Sequence, residues 1–213
     1  MNITYTDLWS MASNSSISKE KLSELSKEKD SRIRVRVAKN PNTKVEDLRI
    51  LAVDQDEYVK NAVAGNPNTP TDVLSQLASS TSFLIRLSVA KNPSTPEEIL
   101  YKLFSDRALI VRKGLLENPN VPFEIVKKLS ESDEEHIKLA VILSPKVTWK
   151  MLDKFAEDPS ATVRYYVALN PSTVVSTLVK LSEDTDLGVL WSVLVHNNTP
   201  REIKYRLKRK LNK

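Results

Sequence analysis

The chain has 213 residues, 40% of them hydrophobic and 28% charged, with no cysteine and a formal net charge of +5. That balance excludes intrinsic disorder. The missing cysteine excludes disulfides, thiolate metal sites, iron–sulfur clusters and cysteine nucleophiles. The charge is local: residues 201–213 hold seven of the 32 basic groups and one of the 27 acids, leaving 25 basic against 26 acidic over residues 1–200. No apolar run approaches the roughly 20 residues that span a bilayer. Met1–Ser10 lacks a basic segment followed by an apolar one, so a cytoplasmic location and no membrane contact are expected.

Taken in order, the chain returns to one turn. Prolines at 41, 67, 93, 119, 145 and 171 recur every 26 residues, within Asn40-Pro41-Asn42-Thr43, Asn66-Pro67-Asn68-Thr69-Pro70, Asn92-Pro93-Ser94-Thr95-Pro96, Asn118-Pro119-Asn120-Val121-Pro122, Ser144-Pro145 and Asn170-Pro171-Ser172-Thr173. The phase persists without that proline at Asn14-Ser15 and His196-Asn197-Asn198-Thr199-Pro200. A fixed period of this size marks stacked repeats. The expected organisation is a single repeat domain over 1–213. It comprises an N-terminal capping helix (1–14, capped at Thr6 with Leu8, Met11 and Ala12 inward), seven repeats (15–196) and a basic C-terminal capping helix (197–213, with Ile203, Leu207 and Leu211 inward).

With the proline as slot 1, each repeat predicts two helices of about ten residues. The first opens near slot 4, where threonine at slot 3, proline at slot 4 and an acid at slot 6 suggest a capping box. Its core positions are slots 8 and 11, as in Leu48/Leu51, Leu100/Leu103 and Leu152/Phe155. The second runs from about slot 16 to slot 25 with core slots 19 and 23, as in Ile33/Val37 and Val163/Val167, and a small residue at slot 22. Asparagine at slot 26 and the following proline end it. The fold class expected is all-α: a solenoid of αα-hairpin repeats.

The Asn-Pro-x-Thr-Pro turn, the leucine helix, and the Val-Arg and small-residue helix resemble the variant leucine-rich repeat family. That resemblance implies a right-handed superhelical solenoid over essentially the whole chain. The cysteine-ligated cluster that some members carry cannot apply here. The hairpins are also similar to HEAT repeats: Asp106 with Val111-Arg112, and Asp158 with Val163-Arg164, match their Asp-x4-Val-Arg element. That likeness implies an acid–base ladder between neighbouring repeats.

Slot 20 is basic in six successive repeats (Arg34, Lys60, Arg86, Arg112, Lys138, Arg164), and slot 14 is acidic in most (Glu28, Asp54, Asp106, Asp158, Asp184). Such cations could track phosphates, but the near-neutral body favours pairing inside the protein. Slot 10 lysines (Lys102, Lys128, Lys154, Lys180) read as a solvated helix face. Slots 18, 21 and 25 of the second helix lie opposite its core slots and should be polar if they line an inner curve. Toward the carboxyl end they hold Leu139, Leu143, Tyr165, Leu169, Trp191 and Val195, with Leu84, Leu87 and Ile110 extending the stripe toward the middle. The earlier repeats place Arg32, Lys39, Asn61, Gly65 and Lys91 there. An exposed apolar strip with aromatics marks an interaction surface. The reading adopted is a partner-protein site, with self-association as a homodimer and mutual packing as the alternatives.

Lys204, Arg206, Lys208, Arg209 and Lys210 form an electrostatic patch, which a nucleic-acid-binding solenoid would use. Enzyme signals are thin: His136 and His196 stand 60 residues apart, with no metal set, no cofactor loop and no nucleophile elbow. Trp149, Asp153, Tyr165, Tyr166 and Trp191 are similar in type to the residues of HEAT-like alkylation-repair glycosylases. Trp149 and Asp153 would face outward, so no catalytic residue is assigned. The expectation is a non-enzymatic protein-binding scaffold.

Overall fold

The computed structural model describes residues 4–212, and among them every regular element is an α-helix. The chain divides into two compact units, Met1–Pro122 and Phe123–Lys213. The first contains α1 (Tyr5–Ser13), α2 (Lys19–Leu25), α3 (Ser31–Lys39), α4 (Val45–Leu51), α5 (Glu57–Gly65), α6 (Thr71–Leu77), α7 (Phe83–Lys91), α8 (Glu97–Phe104) and α9 (Leu109–Leu115). The second contains α10 (Phe123–Leu129), α11 (Glu135–Leu143), α12 (Trp149–Phe155), α13 (Ala161–Leu169), α14 (Val175–Leu181), α15 (Leu187–Val195) and α16 (Arg201–Leu211). Within each unit the second helices of successive repeats stack on one another: α1 on α3, α3 on α5, α5 on α7 and α7 on α9; then α11 on α13 and α13 on α15. The first helices pack against the second helices beside them. This is a helical repeat solenoid with the expected period.

Both core stripes fall where the periodicity puts them. Leu48, Leu74, Leu100, Val126, Leu152 and Leu178 of the first helices are buried, as are Ile33/Val37, Val59/Val63, Ile85/Val89, Ile137/Val141, Val163/Val167 and Val189/Val193 of the second. Slot 22 lies close to the preceding second helix: a methyl on Gly114 would stand 2.5 Å from Leu87 Cδ1.

The repeat helices, α2 to α15, are shorter than ten residues, and the turn chemistry explains why. The first helix starts at slot 5, because Pro70, Pro96 and Pro200 occupy the N-cap in extended conformation rather than the first helical position. The slot 3 threonine does not cap that helix. Its hydroxyl turns back to the preceding second helix, Thr43 Oγ1 donating to Val37 O at 2.5 Å and Thr69, Thr95, Thr173 and Thr199 repeating the bond at 2.6 Å. Side-chain N-caps to the first helix come instead from slot 4, in Ser18 and Thr148. At the amino end Thr4, not Thr6, caps α1, closing a capping box with Asp7. Ala12 is buried there, whereas Leu8 and Met11 are half-buried.

Within each unit, two sets of side-chain links join neighbouring repeats. Slot 26 asparagine does more than end a helix. Asn66 Nδ2 donates to Ala38 O (2.7 Å) and Asn40 O (3.0 Å), and Asn40, Asn92 and Asn118 make the equivalent pair of bonds in their own repeats. In the second unit Asn170 donates to Ile142 O, and the ring of His196 takes the equivalent place against Asn170 O at 3.0 Å. These amides satisfy carbonyls that helix C-termini leave without a partner.

The second ladder is ionic. Arg34 pairs with Asp54, Arg86 with Asp106, Lys138 with Asp158 and Arg164 with Asp184, at 2.6–2.7 Å. Each link joins slot 20 to slot 14 of the next repeat, as the HEAT likeness implies. Each arginine also donates to two backbone carbonyls of its own turn, Arg34 to Glu28 O and Lys29 O. These cations are committed to the protein and do not form a phosphate track. The Arg34 bond holds the Asp54 carboxyl below its ordinary value, and Arg164 does so for Asp184. Burial pushes Asp106 up, but hydrogen bonds from Arg86 and the Ala108 N–H outweigh it, so Asp106 also sits low.

Candidate functional site

The sequence-selected strip lies in the second unit on α11, α13 and α15. Each helix buries slots 19 and 23 completely, so slots 21 and 25 project from the opposite side. Leu139, Tyr165 and Trp191 form one row; Leu143, Leu169 and Val195 form the other. Leu139 is half-buried, and the remaining five are exposed, from 36% for Tyr165 to 68% for Leu143.

The rows are set by the ladders beneath them. Caps from Ser160 and Asp186 fix the starts of α13 and α15. The Lys138–Asp158 and Arg164–Asp184 pairs, with Asn170 and His196, set the spacing between helices. The Tyr165 ring stands edge-on to Tyr166 at 5.4 Å, which orients it. Beside Leu169 and Val195 is a depression of about 290 Å³, whose other walls are Pro171, Ser192, His196, Asn197 and Asn198. Apolar rows thus adjoin polar groups that can orient a bound chain.

The basic helix α16 packs on α15, with Leu207 buried and Ile203 and Leu211 half-buried. Part of its charge is used locally. Arg206 pairs with Glu183 and donates to Ser182, Lys210 reaches Asp184 O, and Arg209 lies over Tyr205 at 6.0 Å. Lys208 is exposed and Lys204 half-buried.

Trp149 and Asp153 sit on α12, a first helix, whereas Tyr165, Tyr166 and Trp191 sit on α13 and α15. Asp153 accepts from Thr177 Oγ1 at 2.7 Å and from Lys180, and those bonds hold its carboxyl low. His136 is exposed on α11 and His196 serves the asparagine ladder. Among the described residues, no group of three or more histidines and carboxylates could hold a metal ion, and no helix is long and apolar enough to cross a membrane.

Sequence reasoning missed two features. Tyr5, Trp9 and Tyr58 lie on the second-helix side of the first unit among Arg32, Arg36 and Lys39, with the Arg36 guanidinium 3.7 Å from the Trp9 ring centre. A groove between α10 and α12 escaped notice because Phe123 and Trp149 occupy slot 5, outside both core stripes. The recurrence of an aromatic at one slot in two successive repeats was the available signal.

No protein-family model matches the sequence, and no curated relative matches it. Among solved structures, a leucine-rich repeat variant described as having a novel repetitive structural motif aligns with 89% of this chain and 80% of its own, at TM-score 0.64 and 21% identity. An engineered protein aligns with 95% of this chain and 73% of its own at TM-score 0.43 and 18% identity, a likeness too loose to build on. The first likeness speaks to the fold: the chain is a helical repeat solenoid, similar in architecture to that leucine-rich repeat variant.

Proposed function

We propose that this repeat scaffold binds another protein through the second-helix face of its C-terminal repeats. Leu143, Tyr165, Leu169, Trp191 and Val195 act as anchors, beside Leu139. The observation that carries this reading is the pair of solvent-facing apolar rows at 26-residue spacing, in positions that the solenoid core does not require. Large exposed apolar surface is uncommon unless it is used. Tyrosine and tryptophan dominate the energetics of such contacts. Lys204 and Lys208 of α16 add attraction for an acidic partner.

The test is affinity capture from the organism's own lysate with the tagged chain, repeated with Tyr165→Ala/Trp191→Ala. Loss of a specifically captured protein is expected, with a circular dichroism melt close to wild type. Loss of one anchor corresponds to about 2 kcal/mol, roughly 30-fold in affinity. A captured partner retained by the double variant refutes the assignment.

A further inference from the structure

The groove between α10 and α12 lies on first helices, away from the proposed docking face, and has a volume of about 510 Å³. Met151 and Phe155, both buried, form its floor; Phe123 and Trp149, 46% and 54% exposed, form its walls. Its lining carries three lysines, Lys127, Lys150 and Lys154, and a single acid, Glu131. None of the three lysines is in an ion pair among the described residues, although Lys180 at the slot of Lys154 one repeat later pairs with Asp153 and Glu157.

The fold does not demand this composition. Slot 5, filled here by Phe123 and Trp149, is Val45, Thr71, Glu97, Val175 or Arg201 in other repeats. Each of those starts a helix equally well, so the aromatics serve no repeat-wide packing role. They are adjacent only because repeats 26 residues apart are neighbours. The result is an apolar trough with unneutralised positive charge around it.

We propose that this groove binds an acidic peptide segment of a partner protein, one that places a bulky apolar side chain between Phe123 and Trp149 and its carboxylates against Lys127, Lys150 and Lys154. Charge complementarity selects an anion. The half-exposed walls select a side chain presented from outside, since a pocket for a free small molecule normally encloses most of its ligand. Aromatic walls supply the contact energy, and the lysines supply orientation and a faster encounter. This site stands independently of the face on α11, α13 and α15.

A random dodecapeptide library displayed on phage and selected against the full chain tests the proposal. Enriched sequences should set Asp or Glu beside Phe, Trp or Leu. A fluorescein-labelled winner should lose about 30-fold in affinity with Trp149→Ala, the size of a hot-spot truncation. It should lose a similar amount with Lys127→Glu/Lys154→Glu, and weaken as salt rises. Both variants alter exposed side chains, so melts should match wild type, and Tyr165→Ala/Trp191→Ala should bind the peptide normally. Selection of basic, neutral or no peptides overturns the proposal. So does retained binding by the charge-reversed variant, or loss of binding in Tyr165→Ala/Trp191→Ala. Uptake of the aromatic anion 1-anilinonaphthalene-8-sulfonate at Trp149 without any peptide enrichment also overturns it, in favour of a small amphipathic anion.

Discussion

Asn92 offers the sharpest test of how the repeats are fastened. It is 2% exposed, its Nδ2 donates to Ala64 O and Asn66 O at 2.8 Å each, and its Oδ1 accepts from the Ser94 N–H at 2.8 Å. Asn92→Ala removes all three bonds, though Asn66 O keeps the Thr69 N–H. Ala64 is fully buried, so its carbonyl in the last turn of α5 loses the donor it has and water cannot easily replace it. At roughly 1 kcal/mol per lost bond, and more for a stranded buried group, the cost is about 3 kcal/mol. For a chain of this size that is roughly 6–12 °C in Tm. Asn92→Asp should be worse near neutral pH, because a carboxylate then faces two carbonyl oxygens; protonation in acid should narrow its gap to the alanine variant. Asn92→His, which borrows the arrangement of His196, should recover part of the loss. Urea titrations followed by far-UV circular dichroism measure all three. An aspartate variant as stable as wild type, or an alanine variant that loses almost nothing, would refute the ladder's role.

Arg86→Met should cost about 3–5 kcal/mol by stranding Asp106, whose side chain is 7% exposed, whereas Arg86→Met/Asp106→Leu should cost much less; equal losses would contradict this. Asp54, Asp106 and Asp184 all have carboxyls held low, so the stability they supply is complete above the unfolded value of about 3.9 and is lost as pH falls through the folded values. Thermal melts should therefore drop more steeply below about pH 4 for wild type than for Asp106→Asn, and parallel curves would exclude the ladder as the cause. Gly65→Ala should stabilise by about 0.5–1 kcal/mol, because a Cβ there meets nothing within 4 Å at the end of a helix. Gly114→Ala should gain less, since Leu87 must move aside.

Period, helix order and both buried stripes were legible in the sequence because each slot repeats its chemistry many times. The direction of the contacts was harder to read. A 26-residue period cannot distinguish six residues back from twenty forward, and Arg34 has a slot 14 acid at both distances, Glu28 and Asp54. The fold uses the forward carboxylate and the backward backbone carbonyl. Slot 3 threonine was ambiguous in the same way. Its hydroxyl could serve the helix ahead or the one behind, and the extended proline at slot 4 leaves the latter. The rows at Leu143, Tyr165, Leu169, Trp191 and Val195 could be located from helical phase alone. The Phe123–Trp149 groove was harder to see, because its one signal, an aromatic at slot 5 in two successive repeats, lies outside both core stripes.

The asparagine ladder has a polarity. In each unit the amide of a later repeat reaches toward carbonyls of an earlier one: Asn40 toward Ala12, Asn66 toward Ala38, Asn170 toward Ile142. A ribosome delivers the amino end first, so every newly emerging turn meets acceptors already in place on the chain before it.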